Sequence, residues 1–312
     1  MKKIVFGLLF VSLFSQIGFA QKTVKEWSEM EDKKFTKKLL ISKGTGLIGR
    51  MIKDPSQLPK FDTIGILGFS IIQPTYSDKN PHSIVTPYLT STGATFFVDA
   101  FFNDAKPEMS SRYTNQNTTL LTPSEYLDSQ EKKDLYNSTE FEHSKLWKAV
   151  GKMSNSIRGG RVDDIKGSPE GYKYLVVVSA DAKMWRAIGK FSGDLGLDAV
   201  LVVETTLGYN GKQLILQKIE MALIGPNTVP YSEKDKKKYA PFGPVKGYLE
   251  GINYGYLQIN PPKGGILLAT MKKGKIIDSH LEDIGVIYGR IADILLKNTK
   301  EEFKALSDKK FK

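Results

Sequence analysis

Residues 172–224, YKYLVVVSADAKMWRAIGKFSGDLGLDAVLVVETTLGYNGKQLILQKIEMALI, change hydrophobic period along their length and so decide the fold class. Tyr172 to Val178 is a β-branched and aromatic run that reads as a strand. Ser179 stands where a helix cap is wanted, with a hydroxyl that can accept a first-turn N–H. Behind it, Met184, Trp185, Ile188, Phe191 and Leu195 fall on one face of an amphipathic helix. Gly196 follows in the position that favours positive φ. Leu197 to Leu207 is the next strand. Asn210-Gly211 is a strong hairpin signal, because both residues tolerate positive φ. The return strand, Gln213 to Ile224, carries Ile215, Ile219, Met221 and Leu223 at even spacing, expected on one face. Strand–helix–strand–hairpin predicts an α/β fold, with α+β as the alternative: a mixed sheet with helices packed on it.

Working outward toward the N-terminus, Thr63 to Ile72 (TIGILGFSII) is a nearly continuous apolar run, as expected of a strand buried on both faces. Residues 73–90 read as an extended loop. Ala94 to Phe102 is strongly aromatic, and its periodicity leaves helix and strand both open. Ser110 to Thr119 is polar and expected to be a loop. Thr119 to Thr122 reads as a short strand, and Pro123-Ser124-Glu125 opens a helix. Thr23-Val24-Lys25-Glu26 has the form of a capping box, which predicts a helix over about 24–41. Residues 21–60 are expected to form an N-terminal helical arm, and 61–312 a single α/β domain. Toward the C-terminus, four prolines mark an extended loop at 226–248. Tyr254 to Ile259 and Gly265 to Met271 suggest two more strands. Ser279-His280-Leu281-Glu282 is a second capping-box pattern, and the helix behind it presents Ile284, Ile287, Tyr288, Ile291, Ile294 and Leu295 for docking on the sheet.

The first twenty residues have the layout of a secretory signal peptide: Lys2-Lys3, an apolar run from Ile4 to Phe14, then Gly18-Phe19-Ala20 ahead of a cut before Gln21. The run is shorter than the ~20 residues of a spanning helix. Export to the periplasm or the outside of a bacterial envelope is therefore expected. The chain has no cysteine, which excludes disulfides, thiolate metal sites and cysteine nucleophiles. Its formal charge is +11 at pH 7. Lysines dominate and are spread through mixed-sign stretches, so nucleic acid is not an expected partner. Peripheral contact with an anionic membrane surface is compatible with this balance.

Gly44-Thr45-Gly46-Leu47-Ile48-Gly49 matches a dinucleotide-binding pattern, but a helical pattern precedes it and Pro55 cuts the following helix short. A glycine hinge is the expected reading, and no cofactor is expected. His82, His143 and His280 are isolated in sequence, so no metal site is expected. Asp163, Asp164, Asp181, Asp194 and Asp198 could in principle meet as paired carboxylates, but nothing in the sequence makes them converge, and helix capping and loop solvation are the expected reading. Residues 252–260 with 266–270 are too short and irregular for a transmembrane β-hairpin.

The run TIGILGFS, the segment Leu120-Leu121-Thr122-Pro123-Ser124-Glu125-Tyr126-Leu127 and the stretch from Gly193 to Val202 resemble the periplasmic α/β domain shared by CsgG-like curli-secretion proteins, the TolB N-terminal domain and LpoB-like envelope lipoproteins. The resemblance covers about residues 61–225. It implies a role in binding other envelope components or in assembly, and no catalytic residue. Glu204 stands where that pattern usually has glycine. The expected function is a non-enzymatic adaptor for another envelope protein or polymer, with self-association compatible. Its contact residues are expected among the aromatics Phe96, Phe97, Phe101 and Phe102 and, in the 231–248 loop, Tyr231, Tyr239, Phe242 and Tyr248. The alternatives are an enzyme, nucleotide-dependent or a carboxylate-based hydrolase, and a self-assembling structural subunit.

Overall fold

The computed structural model describes residues 21–44, 58–73, 91–141, 165–175, 182–209, 212–228, 250–262, 265–272 and 275–308. The leader, most of the glycine run at 44–49 and most of the 73–90 and 226–248 loops lie outside these residues. Among the described residues the chain is α/β, a nine-stranded mixed sheet with helices on both faces.

The centre of the sheet is β2 (Thr63–Gln73) beside β5 (Ala199–Tyr209), paired in parallel from Ile64↔Ala199 to Ile72↔Thr206. β3 (Thr119–Leu121) adds in parallel to the other edge of β2, and β4 (Ile165–Gly167) pairs antiparallel with the end of β2. β6 (Gln213–Pro226) is the hairpin partner of β5. One edge of β6 serves two strands, β7 (Gly251–Ile259) along residues 219–226 and β8 (Ile266–Lys272) along 213–216. The two C-terminal segments thus pair with β6 rather than with each other. β1 (Leu40–Gly44) pairs with β7, and β9 (Lys275–Ser279) pairs with β8.

Side chains alternate across this sheet and supply two cores. Ala199, Leu201 and Val203 of β5 and Met221 and Leu223 of β6 face the larger one. It is closed by α1 (Val24–Ser28), α2 (Asp32–Leu39), α3 (Ser91–Thr114) and α7 (Ile284–Asp308). Val200, Val202, Ala222, Ile224 and Tyr256 face the smaller core. It is closed by α4 (Pro123–Tyr126), α5 (Gln130–Ser138) and α6 (Ala182–Asp194). Met184, Ile188, Phe191 and Leu195 are buried as their spacing predicts. Gly196 (φ +73°) ends α6, with Leu197 N–H donating to Ser192 O (3.0 Å) and Gly196 N–H to Gly193 O (2.9 Å), the paired bonds of a Schellman close. Midway along α6, a Cβ on Gly189 would lie 2.2 Å from Gly225 O and 2.4 Å from Gly251 Cα, so only glycine lets this helix approach β6 and β7.

Several expectations are corrected. Instead of one helix over 24–41 there are two short helices and strand β1. Val24, Trp27, Phe35 and Leu39 lie in the same core as the sheet. The Thr23–Glu26 capping box is present as read. The aromatic stretch at 94–102 is helical, and its helix runs through Pro107 and the polar stretch expected as a loop, to Thr114. Ala105, Met109 and Tyr113, four residues apart, are fully buried there. Their packing outweighs the hydrogen bond that Pro107 removes. Ser279 closes β9 instead of capping a helix, and α7 follows Asp283, whose φ is +65°. Residues 172–175 form no regular strand, although Lys173 N–H donates to Leu67 O (3.1 Å); residues 176–178 lie outside the described residues.

Arg290 of α7 joins the two ends of the described chain. Its guanidinium donates to Trp27 O (3.3 Å), Ser28 O (3.0 Å), Met30 O and Asp32 Oδ1 (2.6 Å), and lies 4.0 Å from the ring centroid of Phe35. These carbonyls belong to the break between α1 and α2, where helix ends leave acceptors without partners. Arg290→Met keeps the volume and removes every donor. The expected loss is about 2–4 kcal/mol in urea denaturation; an unchanged midpoint would show that the clamp is dispensable.

Candidate functional site

Of the aromatic residues expected to form a contact surface, the side chains of Phe97, Phe101 and Phe102 are described. Phe97 and Phe101 are buried against the larger core, on the inner face of α3, so neither is free to meet a partner. Phe102 is half-buried and packs on Phe69 (5.3 Å between centroids) and Tyr172 (4.8 Å). A 24-residue helix that buries one aromatic face explains all three. The side chain of Phe96 and the whole of Tyr231, Tyr239, Phe242 and Tyr248 lie outside the described residues. Among the candidate acids, Asp194 pairs with Lys190 of its own helix, and Asp198 Oδ2 accepts from Thr63 N–H (2.9 Å). The first pair lies within one helix and the second ties the start of β5 to that of β2, and Asp163, Asp164 and Asp181 lie outside the described residues. His280 lies 3.3 Å from Asp278, and His82 and His143 fall outside. Among the described residues no three His, Asp or Glu side chains are grouped to hold a metal, and no helix is long and apolar enough to cross a membrane.

Two other constellations are built by the sheet. The first is a polar row on the face of the smaller core, just beyond Val202 and Ala222. Glu204 of β5 is directly opposite Glu220 of β6, and Glu220 is opposite Gln258 of β7. Both carboxylates are buried. Lys218, two residues before Glu220 on the same face, reaches both: 3.7 Å to Glu204 Oε1 and a direct ion pair with Glu220. The Tyr256 hydroxyl donates to Glu220 and lies 2.9 Å from the Gln258 amide oxygen. On the flank, Ser70, opposite Glu204 on β2, donates to Leu175 O (3.1 Å). Two carboxylates, an ammonium and a phenol are the components of acid–base chemistry. Here they satisfy one another, and Lys218 is the most exposed of the charged groups. Nearby, burial pushes the Tyr136 phenol up to about 12; its hydroxyl donates to Gly171 O (2.8 Å). Burial likewise holds Lys173 below the usual lysine range, with Nζ donating to Thr139 O (3.0 Å) over the Tyr136 ring.

The second constellation is at the end of the sheet. Met271 N–H donates to Lys212 O (2.6 Å), tying the β5–β6 hairpin to the β8–β9 hairpin. β9 pairs only with β8 among the described residues, so its other edge is open. Its Ile276 and Ile277 are 40% and 61% exposed, and with Tyr174 they are the exposed large apolar residues of the described chain. Elsewhere, a groove of about 460 Å³ between β7 and the later turns of α7 is lined by Lys43, Tyr254, Leu295, Thr299, Glu301 and Glu302. Thr299, at its floor, bonds back to Leu295 O (2.8 Å).

No protein-family model, curated protein or solved structure matches this chain.

The carboxylate row makes a specific demand on stability. Like charges directly opposed across a ladder repel. Lys218→Met leaves Glu204 and Glu220 without their shared cation, and the expected loss is about 1–3 kcal/mol. Adding Glu204→Gln should restore at least half of it, read as urea midpoints at neutral pH. Additive losses in the double variant would show that Lys218 and Glu204 are not coupled.

Proposed function

We propose that this protein is an exported, non-catalytic binding module of a bacterial envelope that docks on another envelope component. The observation that carries the reading is β9: among the described residues its outer edge is open and it bears two adjacent exposed isoleucines, while nearly all other large apolar side chains described are covered. An exposed apolar edge strand is an aggregation hazard unless something covers it. Export is supported by the leader pattern of residues 1–20 and is compatible with a cysteine-free chain that relies on its core. The resemblance of residues 61–225 to periplasmic α/β binding domains points the same way. The contact surface is accordingly assigned to β9 and not to the buried face of α3.

Expressed in a bacterial host with its own leader, the protein should be recovered from the envelope or periplasmic fraction with Gln21 at its N-terminus. Ile276→Ser/Ile277→Ser should be exported and cut equally but retained less by the envelope. Intact chain beginning at Met1 in the cytosol would overturn export, and equal retention of the variant would overturn the docking role of β9.

The opposed Glu204 and Glu220 favour one second reading, a carboxylate-based hydrolase. Turnover of a nitrophenyl glycoside or ester by the mature chain, abolished by Glu220→Gln, would establish it; no turnover leaves the row structural.

A further inference from the structure

We infer that the sheet end formed by the two tied hairpins docks on an anionic lipid surface, with the lysines on the headgroups and Ile276 and Ile277 in the layer beneath. The inference rests on the proposed binding role of β9 and names the partner of that same surface.

The register brings the charges together. Gln213 pairs with Thr270, and Met271 N–H reaches Lys212 O, so Lys212 sits beside the end of β8. Lys272 pairs with Lys275 across the β8–β9 ladder. Three lysines from two hairpins thus converge at one end of the sheet. Like charges opposed across a ladder weaken it, and an anionic partner relieves that repulsion. Asp278, beyond the isoleucines along β9, meets His280 at 3.3 Å.

The isoleucines choose among anionic partners. Ile276 stands opposite Met271 and Asp278 opposite Thr270, so Ile277 is the extra residue of a bulge in β9, and both isoleucines are exposed. Lysines alone would serve as guards against edge pairing. An acidic glycan or a nucleic acid would reward the lysines and leave the isoleucines in water. An anionic bilayer rewards both, because basic residues gain at its surface while apolar side chains enter the headgroup–acyl boundary.

The test is co-sedimentation of the mature chain with large vesicles of phosphatidylcholine, alone or with one third phosphatidylglycerol. Binding is expected to the mixed vesicles and to be at least about tenfold weaker to phosphatidylcholine alone. Lys272→Gln/Lys275→Gln should weaken binding about tenfold, and its remaining affinity should depend less on salt. Ile276→Ser/Ile277→Ser should lose the part of the binding that survives 0.5 M salt. Lys272, Ile276 and Ile277 are exposed, and both variants should keep the parent's melting temperature. Mixed vesicles left unbound, or bound equally by parent and isoleucine variant, would overturn the inference. Heparin binding that matches vesicle binding and ignores the isoleucine change would assign the surface to soluble polyanions instead. If the isoleucine variant is lost from the envelope while the parent ignores vesicles, the lipid assignment fails and the binding-module reading stands with a protein partner.

Discussion

The strands β2, β5 and β6 are apolar on both faces, and that constraint places nearly every other element. A parallel pair such as β2–β5 has no face it can leave to water. Fully burying one aliphatic side chain contributes about 1.5–3 kcal/mol, while a whole domain is stable by only about 5–15 kcal/mol. Exposing Val200, Val202, Ala222 and Ile224 on one side, or Leu201, Val203, Met221 and Leu223 on the other, would remove a comparable amount. Neither helical layer is therefore optional. The close approaches follow: Gly189 brings α6 onto β6 and β7, and Gly285 brings α7 onto α3, where a Cβ would lie 2.1 Å from Asp104 O.

The same constraint draws residues 21–44 into the body. The larger core extends past the reach of α3 and α7, and Val24, Trp27, Phe35 and Leu39 close it. A single helix over that span could not follow the surface, so the chain breaks after α1 and restarts at Asp32. A break near a core leaves carbonyls that water cannot easily serve. Arg290 serves several of them from α7, with its guanidinium stacked on Phe35. A residue late in the chain thereby fixes the geometry of its beginning, a dependence that no local reading of either segment could reveal.

Legibility followed the range of the forces involved. The central strand at 63–72, the helix face Met184-Ile188-Phe191-Leu195 with its Gly196 stop, and the docking face of α7 were readable because spacing and burial agree within each segment. The carboxylate row was hidden by register. A two-residue turn at Asn210-Gly211 would set Glu204 opposite Gln217, but Tyr209 pairs with Leu214, and Gln217 is an extra residue in β6 between Lys218 and Leu216. These shifts bring Glu220 across from Glu204. The bulge also reverses the faces of β6, so Leu214 and Leu216 join the larger core and Ile215 points away from Ile219 and Met221. A usable signal was present: each glutamate is a lone acid inside an apolar strand, which asks for a partner across the ladder. The aromatic stretch at 94–102 misled for the opposite reason, since phenylalanines that line a core and phenylalanines that meet a partner have the same composition, and only the path of α3 separates them.

The polar row and the bare strand stand in contrast. On the face of the smaller core β5 and β6 run on past Val202 and Ala222 into buried polar residues, and a buried charge must be paired. The charges and hydrogen bonds of Glu204, Lys218, Glu220 and Tyr256 close on one another there. Farther along, β8 takes the edge of β6 and packs into the larger core, and β9 takes the edge of β8. Extension has no internal end point, because every added strand presents a new open edge. Among the described residues no strand pairs beyond β9, and Ile276 and Ile277 stay exposed there. Two exposed isoleucines on an edge strand are the opposite outcome to the paired row of β5 and β6, where every buried charge meets its counterpart within the sheet.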